Sequence, residues 1–122
     1  MADPRHRLGR RGEARARRYL RRRGLRIIAK NWRDATGELD IIARDGSQVV
    51  FVEVRTSRAG YAGSPLATVG PQKQAKLLRL GERWLAASRW QPDSVRFDVV
   101  GLTPIGRWRW TITWVKNAFE LS

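Results

Sequence analysis

The sequence predicts one α/β domain in which helices flank a central mixed sheet, in the order α-β-β-β-α-β-β. Two segments with apolar residues at helical spacing alternate with five short runs rich in β-branched and aromatic residues. The length of 122 residues, with 42% apolar residues, suffices for one hydrophobic core and is too short for two. We therefore expect residues 1–122 to form a single domain.

The first element is a basic helix over about residues 7–23, which Gly24 ends. Its small and apolar residues share one stripe: Gly12, Ala16, Tyr19 and Leu20. Strands are predicted over 25–31, 37–44 and 48–55. These three strands should form an antiparallel meander.

Residues 56–70 are rich in Gly, Ser and Thr and predict a loop. A second helix follows over 71–88, and strands over 95–102 and 108–115 close the chain. The last strand alternates large apolar residues with polar ones, which predicts a buried inner face made of Trp108, Trp110, Ile112 and Trp114. Trp32 and Trp90, near element ends, are the candidates for base stacking.

The chain is strongly basic, with a net charge of +14 from 25 basic and 11 acidic residues. A field of this sign attracts polyanions, so nucleic acid is the expected partner. The basic helix lacks the bulky apolar face that binding to a membrane surface requires. There is no signal peptide, no membrane span and no cysteine, so we expect a cytoplasmic protein without a membrane partner.

The pair Asp45-Gly46 predicts a two-residue hairpin turn, which fixes the pairing of the strands on either side. With that turn, Glu38 lies opposite Glu53 and Asp40 lies opposite Phe51. Like charges placed opposite each other, with β-carbons ~5 Å apart, weaken a sheet unless a cation or proton lies between them. The hairpin therefore predicts a cation site.

Side-chain alternation places Glu38, Asp40, Glu53 and Arg55 on one face of this hairpin. The other face should be apolar and pack on a helix, through Leu39, Ile41, Ala43, Val50, Val52 and Val54. We expect the acidic face to lie on the side that the core does not use. Oxygen ligands in a chain without cysteine favour Mg²⁺ or Mn²⁺, which suit phosphodiester hydrolysis. The spacing alone leaves open a solvent-exposed ladder of ion pairs.

The pattern G-E-L-D-(x)12-E-V-R resembles the signature of the restriction-endonuclease-like superfamily, an acid followed on the next strand by acid-x-lysine. The segments GEARARRYLRRRGLRIIAKNWR, GELDIIARDGSQVVFVEVRT, RFDVV and KNAF are similar to the YraN-like family over nearly the whole chain. That family is similar in its core to archaeal Holliday-junction resolvases. The resemblance implies a restriction-endonuclease-like fold.

The resemblance also implies roles for individual residues. Asp40 and Glu53 would bind Mg²⁺ or Mn²⁺ with the carbonyl of Val54, and Glu13 would add an acid from the first helix. Glu13 is also spaced for an ordinary ion pair with a residue one turn on, Arg17, and that alternative stays open. The superfamily usually has lysine where this chain has Arg55. A guanidinium can hold a phosphate or orient a water, but it cannot act as a general base.

The expected activity is endonucleolytic hydrolysis of DNA, including branched or repair intermediates. Phosphate contacts are expected from both helices: Arg10, Arg11, Arg17, Arg18, Gln72, Lys73 and Lys76. Two alternatives are a nucleic-acid-binding module of the same fold with an inactive site, and an interaction subunit with an acidic protein partner. Cutting both strands of a junction would favour a homodimer.

Overall fold

The computed structural model describes residues 4–120, which contain two α-helices and a five-stranded sheet. The elements are α1 (Pro4–Arg22), β1 (Arg26–Asp34), β2 (Gly37–Asp45), β3 (Gln48–Thr56), α2 (Pro71–Ala87), β4 (Ser94–Pro104) and β5 (Trp110–Phe119). A short 3-10 helix, Pro65–Thr68, interrupts the predicted loop. The predicted fold class and element order are confirmed. Neither described helix is long and apolar enough to cross a membrane.

The strands lie side by side in chain order, from β1 to β5. All neighbours are antiparallel except β3 and β4, which are parallel. A parallel neighbour cannot be reached through a tight hairpin, so the chain crosses over through α2. The sheet is therefore mixed, as predicted, and the two helices cover its opposite faces.

The turn between β2 and β3 lies one residue later than predicted. Asp45 pairs with Gln48, so the turn residues are Gly46 and Ser47. Gly46 has a φ of 62°, a left-handed conformation that glycine adopts without steric cost. The predicted turn at Asp45-Gly46 is wrong, and so is its pairing of Glu38 with Glu53. The shift alters which residues of β2 and β3 lie opposite each other.

Both faces of the β2–β3 hairpin are covered by the core. On one face, Ala16 and Leu20 of α1 pack with Ile41, Val50 and neighbouring residues. On the other face, α2 packs over a second apolar cluster that includes Leu39, Ile42, Phe51, Leu77 and Leu80. The expectation that the core uses only one face was wrong, because a central strand between two helices is buried on both sides. Leu39, predicted on the face of Ile41, lies on the opposite one.

The helix α1 approaches the sheet most closely at Gly12, which is buried. A Cβ at this position would overlap the side chain of Thr56 at the end of β3. Ala16 and Leu20 follow on the same stripe and are fully buried. The predicted stripe of α1 is therefore the face that contacts the sheet.

The last strand begins later than predicted, at Trp110. Trp108 lies outside it and is 77% exposed, so its assignment to the core was wrong. The turn is closed by a hydrogen bond from the N–H of Ile105 to the carbonyl of Arg109, 2.9 Å, which leaves Trp108 beyond the end of the sheet. Trp110, Ile112 and Trp114 are partly buried against the α1 cluster.

Candidate metal-binding and catalytic site

The candidate site lies where β2 and β3 stop pairing. The last pair of the ladder is Ile41 with Val52. Beyond it, the carboxylate of Asp40 accepts a hydrogen bond from the backbone N–H of Val54, 2.9 Å. The side chain of Asp40 thus takes the place of a backbone partner at the point where the strands separate.

Three carboxylates meet at this point: Glu13 from α1, and Glu38 and Asp40 from β2. One oxygen of each lies within 4.8 Å of the other two. Carboxylate oxygens are the ligands that Mg²⁺ and Mn²⁺ prefer. The donor set therefore suits a hard divalent cation.

Asn31 of β1 joins two of these acids. Its side-chain amide donates to Glu13, 3.1 Å, and to Glu38, 2.7 Å. Asn31 has a φ of 51°, a left-handed conformation in which asparagine is enriched. In the sequence, the only signal of this role is an asparagine at a strand position, where that residue type is uncommon. Glu13, for which a pair with Arg17 stayed open, is hydrogen-bonded to Asn31.

The acids repel one another. Burial raises the pKa of Asp40 to about 8, with further contributions from the charge of Glu53, a side-chain hydrogen bond with it, and the charge of Glu38. Burial also raises the pKa of Glu13, as do the charges of Asp40 and Glu38, against the hydrogen bond from Asn31. Glu38 has a counter-charge in Arg33, 2.9 Å away. The raised pKa values of Asp40 and Glu13 show that a proton or a cation at this point would relieve the repulsion between the acids.

Glu53 lies on the α2 side of Asp40 and has its own cations. Its side chain is 4% exposed and lies 3.4 Å from the guanidinium of Arg55 and 3.7 Å from the ammonium of Lys73. The structure thus brings together Glu53, Arg55 and Lys73, while Glu53 is not in the group of three acids found among residues 4–120. Asp40 lies between the two sets.

The guanidinium of Arg55 is held by Thr68, which ends the short 3-10 helix Pro65–Thr68 in the segment between β3 and α2. Its Nε donates to the hydroxyl of Thr68, 3.0 Å, and its Nη2 donates to the carbonyl of the same residue, 2.8 Å. Thr68 had no signal in the sequence that would mark it, since the contact crosses a loop. Arg55 is therefore fixed in direction beside the acids.

A cleft of about 460 Å³ opens next to the acids. Its lining includes Glu13 of α1, Val54 and Arg55 of β3, and Ser57 and Arg58 of the following loop. One carboxylate of the cluster and the fixed guanidinium therefore border the same open space.

The residues predicted to contact phosphate lie on both sides of the site. On α1, Arg10, Arg11 and Arg18 are exposed and Arg17 is partly buried. At the start of α2, Gln72 is exposed, and Lys73 and Lys76 are partly buried. The side-chain stem of Lys76 packs against Gly37 of β2, close to the acids.

These features define a small basic α/β protein with a carboxylate cluster at the separation of two central strands. Residues 12–102 match the model of a family described as "Uncharacterised protein family UPF0102". The chain belongs to this family, which confirms the YraN-like resemblance.

Several relatives match over most of their own length. A UPF0102 protein of Ectopseudomonas mendocina (strain ymp) is 45% identical over 114 residues, covering 93% of this chain and 94% of the relative. A UPF0102 protein of Bordetella avium (strain 197N) is 44% identical over 118 residues, covering 97% of this chain and 78% of the relative. A UPF0102 protein of Nitratidesulfovibrio vulgaris (strain DP4) is 42% identical over 122 residues, covering 100% of this chain and 90% of the relative.

Proposed function

We propose that this protein is a Mg²⁺- or Mn²⁺-dependent endonuclease that hydrolyses DNA phosphodiester bonds, including those of branched or repair intermediates. The observation that carries the proposal is the meeting of three carboxylates, with one oxygen each from Glu13, Glu38 and Asp40 within 4.8 Å of one another. They lie beside an open cleft bordered by Glu13 and by the fixed guanidinium of Arg55. A net charge of +14 supports a polyanionic substrate.

Two ligand sets are compatible with these residues, and they share Asp40. The geometry favours Glu13 and Glu38 as the other ligands, whereas the resemblance favours Glu53 and the carbonyl of Val54. When bound, Mg²⁺ or Mn²⁺ polarises a phosphoryl oxygen and acidifies a water molecule.

The chain's own groups have separate roles in this proposal. The guanidinium of Arg55, held by Thr68, orients a phosphate and balances the negative charge that develops on it. It does not accept a proton, so the base is a water or a carboxylate of the cluster. Lys73 holds Glu53 in place through its ion pair.

The activity is tested by incubating the full chain with linear, flapped and four-way DNA in Mn²⁺ or Mg²⁺. We expect cleavage by the wild type and a loss of about 100-fold or more in Asp40→Asn, because removing a metal ligand removes the chemistry it supports. The control is Asp34→Asn, an acid outside the cluster that pairs with Arg83. Equal cleavage by wild type and Asp40→Asn would refute the assignment.

Calorimetric titration with Mn²⁺ separates the two ligand sets. If the ligands are Asp40, Glu13 and Glu38, Glu38→Gln should weaken Mn²⁺ binding about tenfold or more, and Glu53→Gln should weaken it less. The reverse order would favour the set implied by the resemblance. Binding that none of the acid variants weakens would leave the cluster without a metal role.

The second candidate function is a nucleic-acid-binding module without cleavage. The engagement of Arg55 with Thr68, at the position where the superfamily usually has lysine, favours it. Salt-sensitive DNA binding without cleavage in either metal would support this function.

A further inference from the structure

Trp108 is an exposed aromatic residue in a basic turn. It is 77% exposed, more than the other exposed large hydrophobic residues of the described chain, of which Ile105 at 51% comes next. Trp108 lies between Arg107 and Arg109, and both are exposed. Trp is highly buried on average, and here the indole face is open to a ligand between two exposed arginines.

Trp108 forms one wall of an open recess of about 340 Å³ against α1. The other lining residues are Trp110, Arg11, Ala14 and Arg15. The guanidinium of Arg11 lies 5.7 Å from the centre of the Trp110 ring. The recess therefore offers two indoles, two guanidiniums and no acid.

This chemistry fits a nucleobase with its phosphates. A base stacks on an indole whatever its sequence, and guanidiniums contact the flanking phosphates or stack in turn. A base inside a duplex already stacks on its neighbours and presents only its edges, so the indole selects an unpaired base. We infer that the recess at Trp108 binds an unpaired base of a nucleic-acid strand.

The recess and the acidic cluster lie on opposite flanks of α1. Arg11 and Glu13 are two residues apart, which is about 200° around a helix. The outer surface between them carries the exposed Arg10 and Arg18. A strand crossing this surface would meet a positive path from the acids to Trp108. The inference rests on the nucleic-acid partner proposed above, but it does not depend on cleavage.

The test is fluorescence anisotropy in EDTA, with a labelled oligothymidylate and a blunt duplex of equal length. Trp108→Ala should weaken oligothymidylate binding about tenfold and leave duplex binding nearly unchanged. Trp108→Phe, which keeps an aromatic face, should restore most of the affinity. Tyr61→Ala is the matched control, since Tyr61 is 40% exposed and not among the residues lining the recess. Circular dichroism checks that each variant folds.

Each other outcome overturns the inference and separates it from the proposed function. Equal loss on both ligands would reduce Trp108 to a general contact. If the wild type binds the duplex and not oligothymidylate, the inference of an unpaired base is wrong but DNA remains a partner. If the wild type binds neither ligand, both the inference and the proposed nucleic-acid partner are wrong. Vesicles of phosphatidylglycerol test a membrane surface. If Trp108→Ala releases these vesicles without affecting oligothymidylate, the recess belongs to a lipid ligand.

Discussion

Two acids of the same sheet are buried in opposite ways. Asp98 of β4 is fully buried and each of its oxygens is paired. It accepts hydrogen bonds from the guanidinium of Arg96, 2.9 Å, the indole N–H of Trp114, 2.8 Å, and the backbone N–H of Asn117, 2.9 Å. Asp98 therefore has a counter-charge within the chain, the guanidinium of Arg96.

Asp40 of β2 accepts a hydrogen bond from the backbone N–H of Val54 and lies close to the carboxylates of Glu13, Glu38 and Glu53. Burial and the charge of Glu53 raise its pKa, so its ionisation costs free energy. Asp98 thus has its counter-charge within the fold, whereas Asp40 lies among other acids. The number of donors around a buried carboxylate separates a structural acid from a candidate ligand.

The largest effect on stability is expected from breaking the ion pair between Asp98 and Arg96. Asp98→Asn leaves the guanidinium of Arg96, whose side chain is 13% exposed, without its main counter-charge. The free energy of unfolding should fall by roughly 3–5 kcal/mol, as for other broken buried pairs. Urea denaturation in EDTA measures it, with Asp40→Asn as the matched change in the other acid. A smaller loss in Asp98→Asn than in Asp40→Asn would reverse the comparison.

A smaller effect, with pH dependence, is expected at Asp40. Because its pKa is raised in the folded state, its contribution to stability is complete below about pH 4 and is lost as the pH rises towards about 8. Without metal, the stability of Asp40→Asn relative to the wild type should therefore rise by a few kcal/mol as the pH increases from about 4 to about 8.

Urea denaturation of both proteins at several pH values in EDTA tests this expectation. The Asp34→Asn protein is the control, because the pKa of Asp34 is lowered by hydrogen bonds from Thr36 and not raised. If the free energies of unfolding of wild type and Asp40→Asn change with pH in the same way, the ionisation of Asp40 does not destabilise the fold.

The smallest effect is expected at Asn31. Asn31→Gly keeps the left-handed backbone without strain and removes only the amide, so stability should change by about 1 kcal/mol or less. The pKa of Glu13 should rise further, because the amide now lowers it. Carboxyl chemical shifts followed by NMR through a pH titration measure it. Asn117→Gly, the same change at the other left-handed asparagine, should leave Glu13 unaffected.

Periodicity along the chain predicted most of the fold. The stripe of α1 and the alternation of the strands depend on neighbours in sequence, so Ala16 and Leu20 are buried as expected. The turn after β2 was placed one residue too early because Asp45-Gly46 and Gly46-Ser47 are both acceptable turn dipeptides. Trp108 was misplaced because alternation does not show where a strand ends.

The candidate site was predicted less completely. Asp40, Glu53 and Arg55 follow from their spacing and the resemblance, and the structure places them as neighbours. The bridge from Asn31 and the contact of Arg55 with Thr68 are tertiary, and no local pattern encodes them. The grouping of Glu38 with Glu13 also depends on how α1 docks, which sequence spacing does not reveal.

The close approach of α1 to β3 at Gly12 affects the width of the cleft beside the acids. A Cβ at this position would overlap the side chain of Thr56, so either that side chain or α1 would have to move. Glu13 is the next residue along the helix, so a displacement of α1 would carry its carboxylate away from Glu38 and Asp40. The absence of a side chain at Gly12 therefore helps to set the separation between α1 and the end of β3, and with it the spacing of the three carboxylates.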